Sequence, residues 1–290
     1  MQPQNQAAQA ADFWRDPPWS RQEPGYRMAL QPVGDWVWEP ITSARLAHKR
    51  ALLAQRPHEV LAASEPIDAA QRGLLTEVDA SACRIDAAGA RTLLTATPDL
   101  PGRQALASLQ TLAAVALAIN EDLLVLRRDA DDVYRLVAAC LCSPSYWRLA
   151  DKLGQPIQQI HAPVPGLNAR LGQRIDDFLR RLPPGRVFER RNWFVHETDT
   201  LFQPHHERVL GVPYDALWLR TETQSLRRLS AEEILFSVRI DCWPLASARE
   251  VPGAAAGLAD ALDALDPDQR AGTSITPRIE GLCAHLRDSD

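Results

Sequence analysis

The sequence predicts an α+β protein built on one antiparallel sheet. Three observations carry that reading: two strand-like runs split by an acidic turn, a stretch of helical periodicity after them, and then three further strand-like runs. The first pair is Leu123–Leu126 and Val133–Cys140, separated by Asp129-Ala-Asp-Asp132, and reads as a hairpin. Ser143-Pro144 then offers a capping residue and a proline at the first helical position. Tyr146, Leu149, Ala150 and Leu153 follow on one helical face, which Gly154 ends. A loop from Gln155 to Gly166 holds three prolines. Leu167, Leu171, Ile175, Phe178 and Leu182 mark a second amphipathic helix, stopped by Pro183-Pro184. Strands are expected over about 187–195, 215–226 and 233–242, the last two joined by the short Leu229–Glu233 connection. Five antiparallel strands with helices packed on one face satisfy that order most simply.

The flanks read differently. Residues 1–12, rich in Gln and Ala, are expected to form a disordered tail. Residues 13–119 form an N-terminal arm and helices packed on the core. Trp14, Trp19, Trp36 and Trp38 lie among seven prolines and glycines, which suggests an extended segment with buried rings. Thr42 is placed to cap a helix through Leu53 that stops near Pro57, a short helix starts at about 58, and residues 102–119 form an apolar helix. The core is expected over 120–244, and Ala- and Asp-rich residues 245–290 form a C-terminal helical extension.

Composition narrows the function. The 290 residues are 46% hydrophobic and 24% charged, enough to bury a real core, and the net charge of −5 argues against a chain that tracks nucleic-acid phosphates. Only Lys49 and Lys152 are lysines, so nearly all the basic side chains are arginines, which fork onto carboxylates. The longest apolar run, Leu112–Ile119, is far shorter than the ~20 residues of a spanning helix. The first residues lack the basic and apolar regions of a signal peptide, and the five cysteines form no even framework. A cytoplasmic protein is expected.

P-loop, dinucleotide-binding, HExxH, GxSxG and CxxC signatures are all missing. Cys140 and Cys142 share a strand face and read either as small buried thiols or as half of a metal site without a second pair. His205-His206-Glu207 falls in a loop, and His196 at a strand end reads as a local hydrogen-bonding group. His161 lies in Ile160-His-Ala-Pro-Val-Pro-Gly166, beside prolines that stiffen the backbone; its ring could serve a haem iron or bond to a loop carbonyl. Alternation along 216–226 puts Trp218, Arg220, Glu222 and Gln224 on one face. That row is either a solvent-facing ladder or a functional surface, since buried charge is costly unless paired or used. Arg190, Asn192 and Phe194 share a face of the preceding strand, and Arg239 shares one with Asp241 in the last.

Two strings, Cys140-Leu-Cys-Ser-Pro-Ser-Tyr-Trp-Arg-Leu-Ala-Asp-Lys-Leu-Gly154 and Ile160–Gly166, resemble the alpha subunit of the haem-dependent oxidative N-demethylase family. Arg190-Arg-Asn-Trp193, Leu219–Arg228, Tyr26–Leu30 and Trp36-Val-Trp-Glu39 are similar to its other blocks, so the likeness runs over roughly residues 20 to 245. The resemblance implies a PAS-like haem domain of five antiparallel strands with a helical insert. It implies oxygen-dependent oxidation of a small secondary amine such as dimethylamine, releasing formaldehyde. Haem b would sit on this chain; FMN, a 2Fe-2S cluster and tetrahydrofolate would sit on partner subunits, a flavin/iron-sulfur reductase fed by NADPH and a folate-binding protein.

Mapped onto this sequence, the resemblance makes His161 the iron ligand and Arg220 and Glu222 the catalytic pair. The guanidinium would donate to dioxygen as it gains charge, and the carboxylate would accept from the amine. Arg190 and Asn192 become candidates for propionate or distal hydrogen bonds. Two places depart from the family pattern: Thr223 stands where an Arg is expected, and Ile240-Asp241 where Thr-Tyr is commoner. A non-catalytic haem or small-ligand sensor is the competing reading.

Overall fold

A computed structural model describes residues 3–20, 25–34, 38–80, 107–205 and 211–288, without the side chains of 3–8, 78–80 and 107. Its centre is an antiparallel sheet of seven strands: β1 (Gln31–Val33), β2 (Leu61–Ala63), β3 (Asp122–Arg128), β4 (Tyr134–Cys140), β5 (Val187–His196), β6 (Trp218–Arg228) and β7 (Glu233–Pro244). They lie in the order β1-β5-β6-β7-β3-β4-β2. The five expected strands form the interior in the order β5-β6-β7-β3-β4, and the N-terminal region adds one three-residue strand at each edge. Those two additions are too short to carry a period-two signal, which is why five strands were expected and seven are found.

Alternation along the long strands sorts their side chains onto two faces. Phe194, Arg220 and Cys242 form one cross-strand row, Asn192, Glu222 and Ile240 the next, and Arg190, Gln224 and Val238 a third. This face is covered by the helical insert between β4 and β5. Leu149, Ile157, Leu179 and Leu182 of that insert pack with Leu124, Leu126, Leu226 and Ile240 of the sheet. The opposite face is covered as well, by two separate apolar clusters. One joins Leu123, Val125, Val137 and Cys140 to Leu53 of the helix Ser43–Gln55 and to Leu112 and Val115 of the helix Gln110–Ala116. The other joins Val195 and Leu219 to Leu258 and Leu282 of the C-terminal helices Ala254–Asp263 and Ile279–Arg287 and to Trp14. Helices therefore lie on both faces, where the sequence suggested one.

Several local expectations change. The described part of the expected tail belongs to a helix, Pro3–Arg15, held down by buried Ala10 and Trp14; Phe13 stacks on Trp243 with ring centroids 4.7 Å apart. The helix expected from Ser143 does not form there. Asp122 Oδ2 accepts from the backbone N–H groups of Cys142 (2.9 Å) and Ser143 (2.6 Å), and Tyr146 adopts a positive φ of 62°. Helix begins only at Leu149 and ends at Lys152. The loop expected over 155–166 holds a short helix, Ile157–His161. Thr42 caps the next helix as expected, its side chain accepting from Arg45 N–H at 3.3 Å. Trp36, His206 and Glu207 lie outside the described residues, as do 102–106 of the expected helix over 102–119.

Candidate functional site

His161 closes the short helix Ile157–His161, and its neighbours hold it firmly. Lys152 Nζ donates to the Ile160 carbonyl at 3.0 Å, and Val164 N–H donates to the His161 carbonyl at 2.9 Å. Gly166 then takes φ +69° to enter the helix Leu167–Arg181. Arg170 of that helix forks onto Asp266 and Asp268 of the C-terminal region, pinning the segment from outside. The ring is half-buried, and its Nδ1 is enclosed without a hydrogen-bond partner. Burial, helped by the nearby Arg190 and Lys152 cations, pushes its pKa down to about 4, so the imidazole is neutral at physiological pH.

Arg190 is the charged neighbour on the sheet. Its guanidinium donates to Asn192 Oδ1, while its Nε is buried without a partner. Burial pushes against its charge, and the Glu222 carboxylate counters that. Glu222 is held at both oxygens: Ser145 Oγ donates to Oε1 at 2.8 Å, and Gln224 Nε2 donates to Oε2 at 2.8 Å. His161, Arg190, Asn192 and Glu222 thus gather where the insert meets the β5–β6 face.

Arg220 is fully buried beneath them, and its donors are spent on the protein. Nη2 donates to the carbonyls of Ser143 (2.9 Å), Leu201 (3.0 Å) and Pro144 (3.3 Å), Nη1 to that of Thr200 (3.1 Å), and Nε to Ser145 Oγ (3.0 Å). It ties two loops together and, through Ser145, fixes the Glu222 carboxylate. Sequence reasoning missed Ser145, because that segment was read as helix. His196 is a buried local partner, bonded through Nδ1 to Gln203 Oε1 at 2.9 Å and stacked on Tyr146; Cys140 and Cys142 are buried in apolar surroundings. His205 is exposed.

A cavity of about 370 Å³ opens elsewhere, on the opposite face of the sheet, with Glu39, Glu121, Thr223 and Arg239 in its wall. His161 and Glu222 do not line it. Glu121 was not foreseen: it precedes β3 in a short connection and carries no periodic signal.

The layered sheet thus gathers an enclosed neutral imidazole, a cation and a carboxylate where the helical insert meets it. The chain belongs to the family described as haem-dependent oxidative N-demethylase, alpha subunit-like, whose model matches residues 43–271. That span contains His161, Arg190, Asn192, Arg220 and Glu222. A comparison with curated proteins finds no match. Among the described residues, no helix is long and apolar enough to cross a membrane.

Proposed function

We propose that this chain is the haem-bearing subunit of an oxygen-dependent N-demethylase acting on a small secondary amine such as dimethylamine. The observation that carries the reading is His161: a neutral, firmly held imidazole with an enclosed, unpartnered nitrogen, in a chain of this family. A histidine that would hold haem iron needs a ring nitrogen free of its proton, and a pKa of about 4 keeps this imidazole neutral. Arg190, with an unpartnered Nε beside His161, suits a propionate carboxylate. Haem b, when bound, supplies the oxidising power. The interior strand order β5-β6-β7-β3-β4 supports a PAS-like reading of the core.

The remaining work falls to the side chains. Glu222 accepts a hydrogen bond from the secondary ammonium and so sets which methyl group faces the centre. Ser145 and Gln224 hold the carboxylate in place, and Arg220 fixes Ser145. Asn192 orients Arg190. The insert helices and Phe178, Phe188 and Phe236 keep bulk water away. In the net reaction, the amine, dioxygen, NADPH and a proton give the demethylated amine, formaldehyde, water and NADP⁺. The electrons require partners: a flavin/iron-sulfur reductase subunit with FMN and a 2Fe-2S cluster, and a folate-binding subunit whose tetrahydrofolate takes up formaldehyde. We place the assembly in the cytoplasm.

The test is optical. Protein purified after haem supplementation should show a Soret band, and His161→Ala should lose it; retention in that variant overturns the ligand assignment. Dimethylamine should shift the band of the wild type and shift that of Glu222→Gln only at much higher concentration. A haem-loaded protein indifferent to amines would favour the sensor reading.

A further inference from the structure

The two apolar clusters on the face away from His161 leave a gap between them. The gap lies over two cross-strand rows in the middle of the sheet, Glu189–Ser225–Ser237 and Arg191–Thr223–Arg239, and forms the cavity of about 370 Å³. Six side chains decide its chemistry, Glu39, Glu121, Thr223, Ser225, Ser237 and Arg239, while Glu189 and Arg191, also in its wall, pair with each other at 3.8 Å. Ser225 and Ser237 hydroxyls bond to each other at 2.5 Å. Arg239 is committed to two carboxylates, Glu39 (2.5 Å) and Asp241 (3.0 Å). Glu121 has no such partner. Its side chain is 5% exposed, it lines the cavity, and its Oε2 has no hydrogen-bond donor. The other cations that act on Glu121 are engaged as well: Lys49 spends its Nζ on the Glu121, Ala116 and Ile119 carbonyls and on Asp122, and Arg227 pairs with Glu77 at 3.0 Å.

An interior acceptor left open is costly unless something supplies the donor. With Arg191 and Arg227 paired to Glu189 and Glu77, the remaining charge is tilted towards the negative, since Glu39, Asp241 and Glu121 face the guanidinium of Arg239. A hard metal ion would want about six oxygen ligands, whereas one carboxylate oxygen beside neutral hydroxyls suits an N–H donor. The volume lies at the small end of ligand pockets. We propose that this cavity binds a small organic ammonium ion, which donates to Glu121 Oε2 and is completed by the hydroxyls of Thr223 and the Ser225–Ser237 pair. The site does not depend on haem, because the sheet separates it from His161.

Ethylammonium, titrated calorimetrically at pH 8 into the full chain carrying Glu222→Gln, isolates this site from the amine position proposed on the other face. One saturable site is expected. Adding Glu121→Gln should weaken binding about tenfold or more, because a charge-assisted hydrogen bond is lost. Tetramethylammonium, which has no N–H, should bind as weakly to the protein that retains Glu121. Thr223→Arg, which would place a guanidinium in the cavity, should block ethylammonium while thermal unfolding stays cooperative. No binding, equal binding after Glu121→Gln, or equal affinity for the two ions overturns the proposal.

Discussion

Two buried titratable groups, one on each side of the sheet, pull stability in opposite directions with pH. Burial raises the Glu121 pKa from 4.5 to about 7, so the folded state holds its proton where the unfolded state has lost it. Its contribution is present below pH 4.5 and is lost as pH rises towards 7, a difference of ~3 kcal/mol at most. Burial lowers the His161 pKa from 6.5 to about 4, so the unfolded state takes up a proton first as pH falls. That contribution is present above pH 6.5 and is lost as pH falls towards 4, by a similar ~3 kcal/mol at most. Between pH 4.5 and 6.5 the two trends oppose. Haem-free wild type should therefore show a nearly flat denaturation midpoint there. Glu121→Gln should unmask a loss of stability on acidification, and His161→Leu a gain. Urea midpoints at pH 5 and 6.5 measure both, and parallel slopes in the two variants would contradict the assignment.

Single elements are set by contacts that reach across the chain, and this decides what could be read in advance. β5, β6 and β7 were legible because each runs ten residues or more with alternating faces, and register then places Arg190, Asn192 and Glu222 together. The 143–148 stretch was not legible: Ser143-Pro144 is a sound local start signal, overridden by Asp122 and Arg220 gripping the backbone from distant strands. His161 was legible as a stiffly held histidine, but its short helix and the anchoring of its segment by Asp266 and Asp268 were not. That anchoring predicts the effect of Gly166→Ala. The residue needs φ +69°, and a Cβ there would stand 2.3 Å from Asp268 Oδ2, so the variant should lose ~1–3 kcal/mol and bind haem less tightly. Lys49→Met leaves Asp122 without its counter-ion and three carbonyls without this donor, and should cost ~3–5 kcal/mol in a denaturant melt.

Over the whole molecule the sheet works as a partition with different chemistry on its two sides. β6 serves both: Arg220, Glu222 and Gln224 face the insert, while Thr221, Thr223 and Ser225 face away. The termini complete the second side, since the first helix lays Phe13 on Trp243 and Trp14 Nε1 donates to Ser247 Oγ at 2.8 Å. Trp14→Ala should therefore cost ~3–5 kcal/mol, although it lies near the start of the chain and outside the family match; an unchanged melting temperature would show that the helix does not bear on the core.

The borders of the partition carry their own consequence. Each outermost strand is three residues long, and the one beside β5 has Pro32 at its middle, which has no backbone N–H to give. They do not close the two flanks equally: the outer side of β4 is taken up by β2 and by the 154–156 segment, whereas beyond Glu189 no strand among the described residues pairs with the outer side of β5. A polypeptide that lengthens this sheet by backbone pairing would therefore do so along β5 and not along β4.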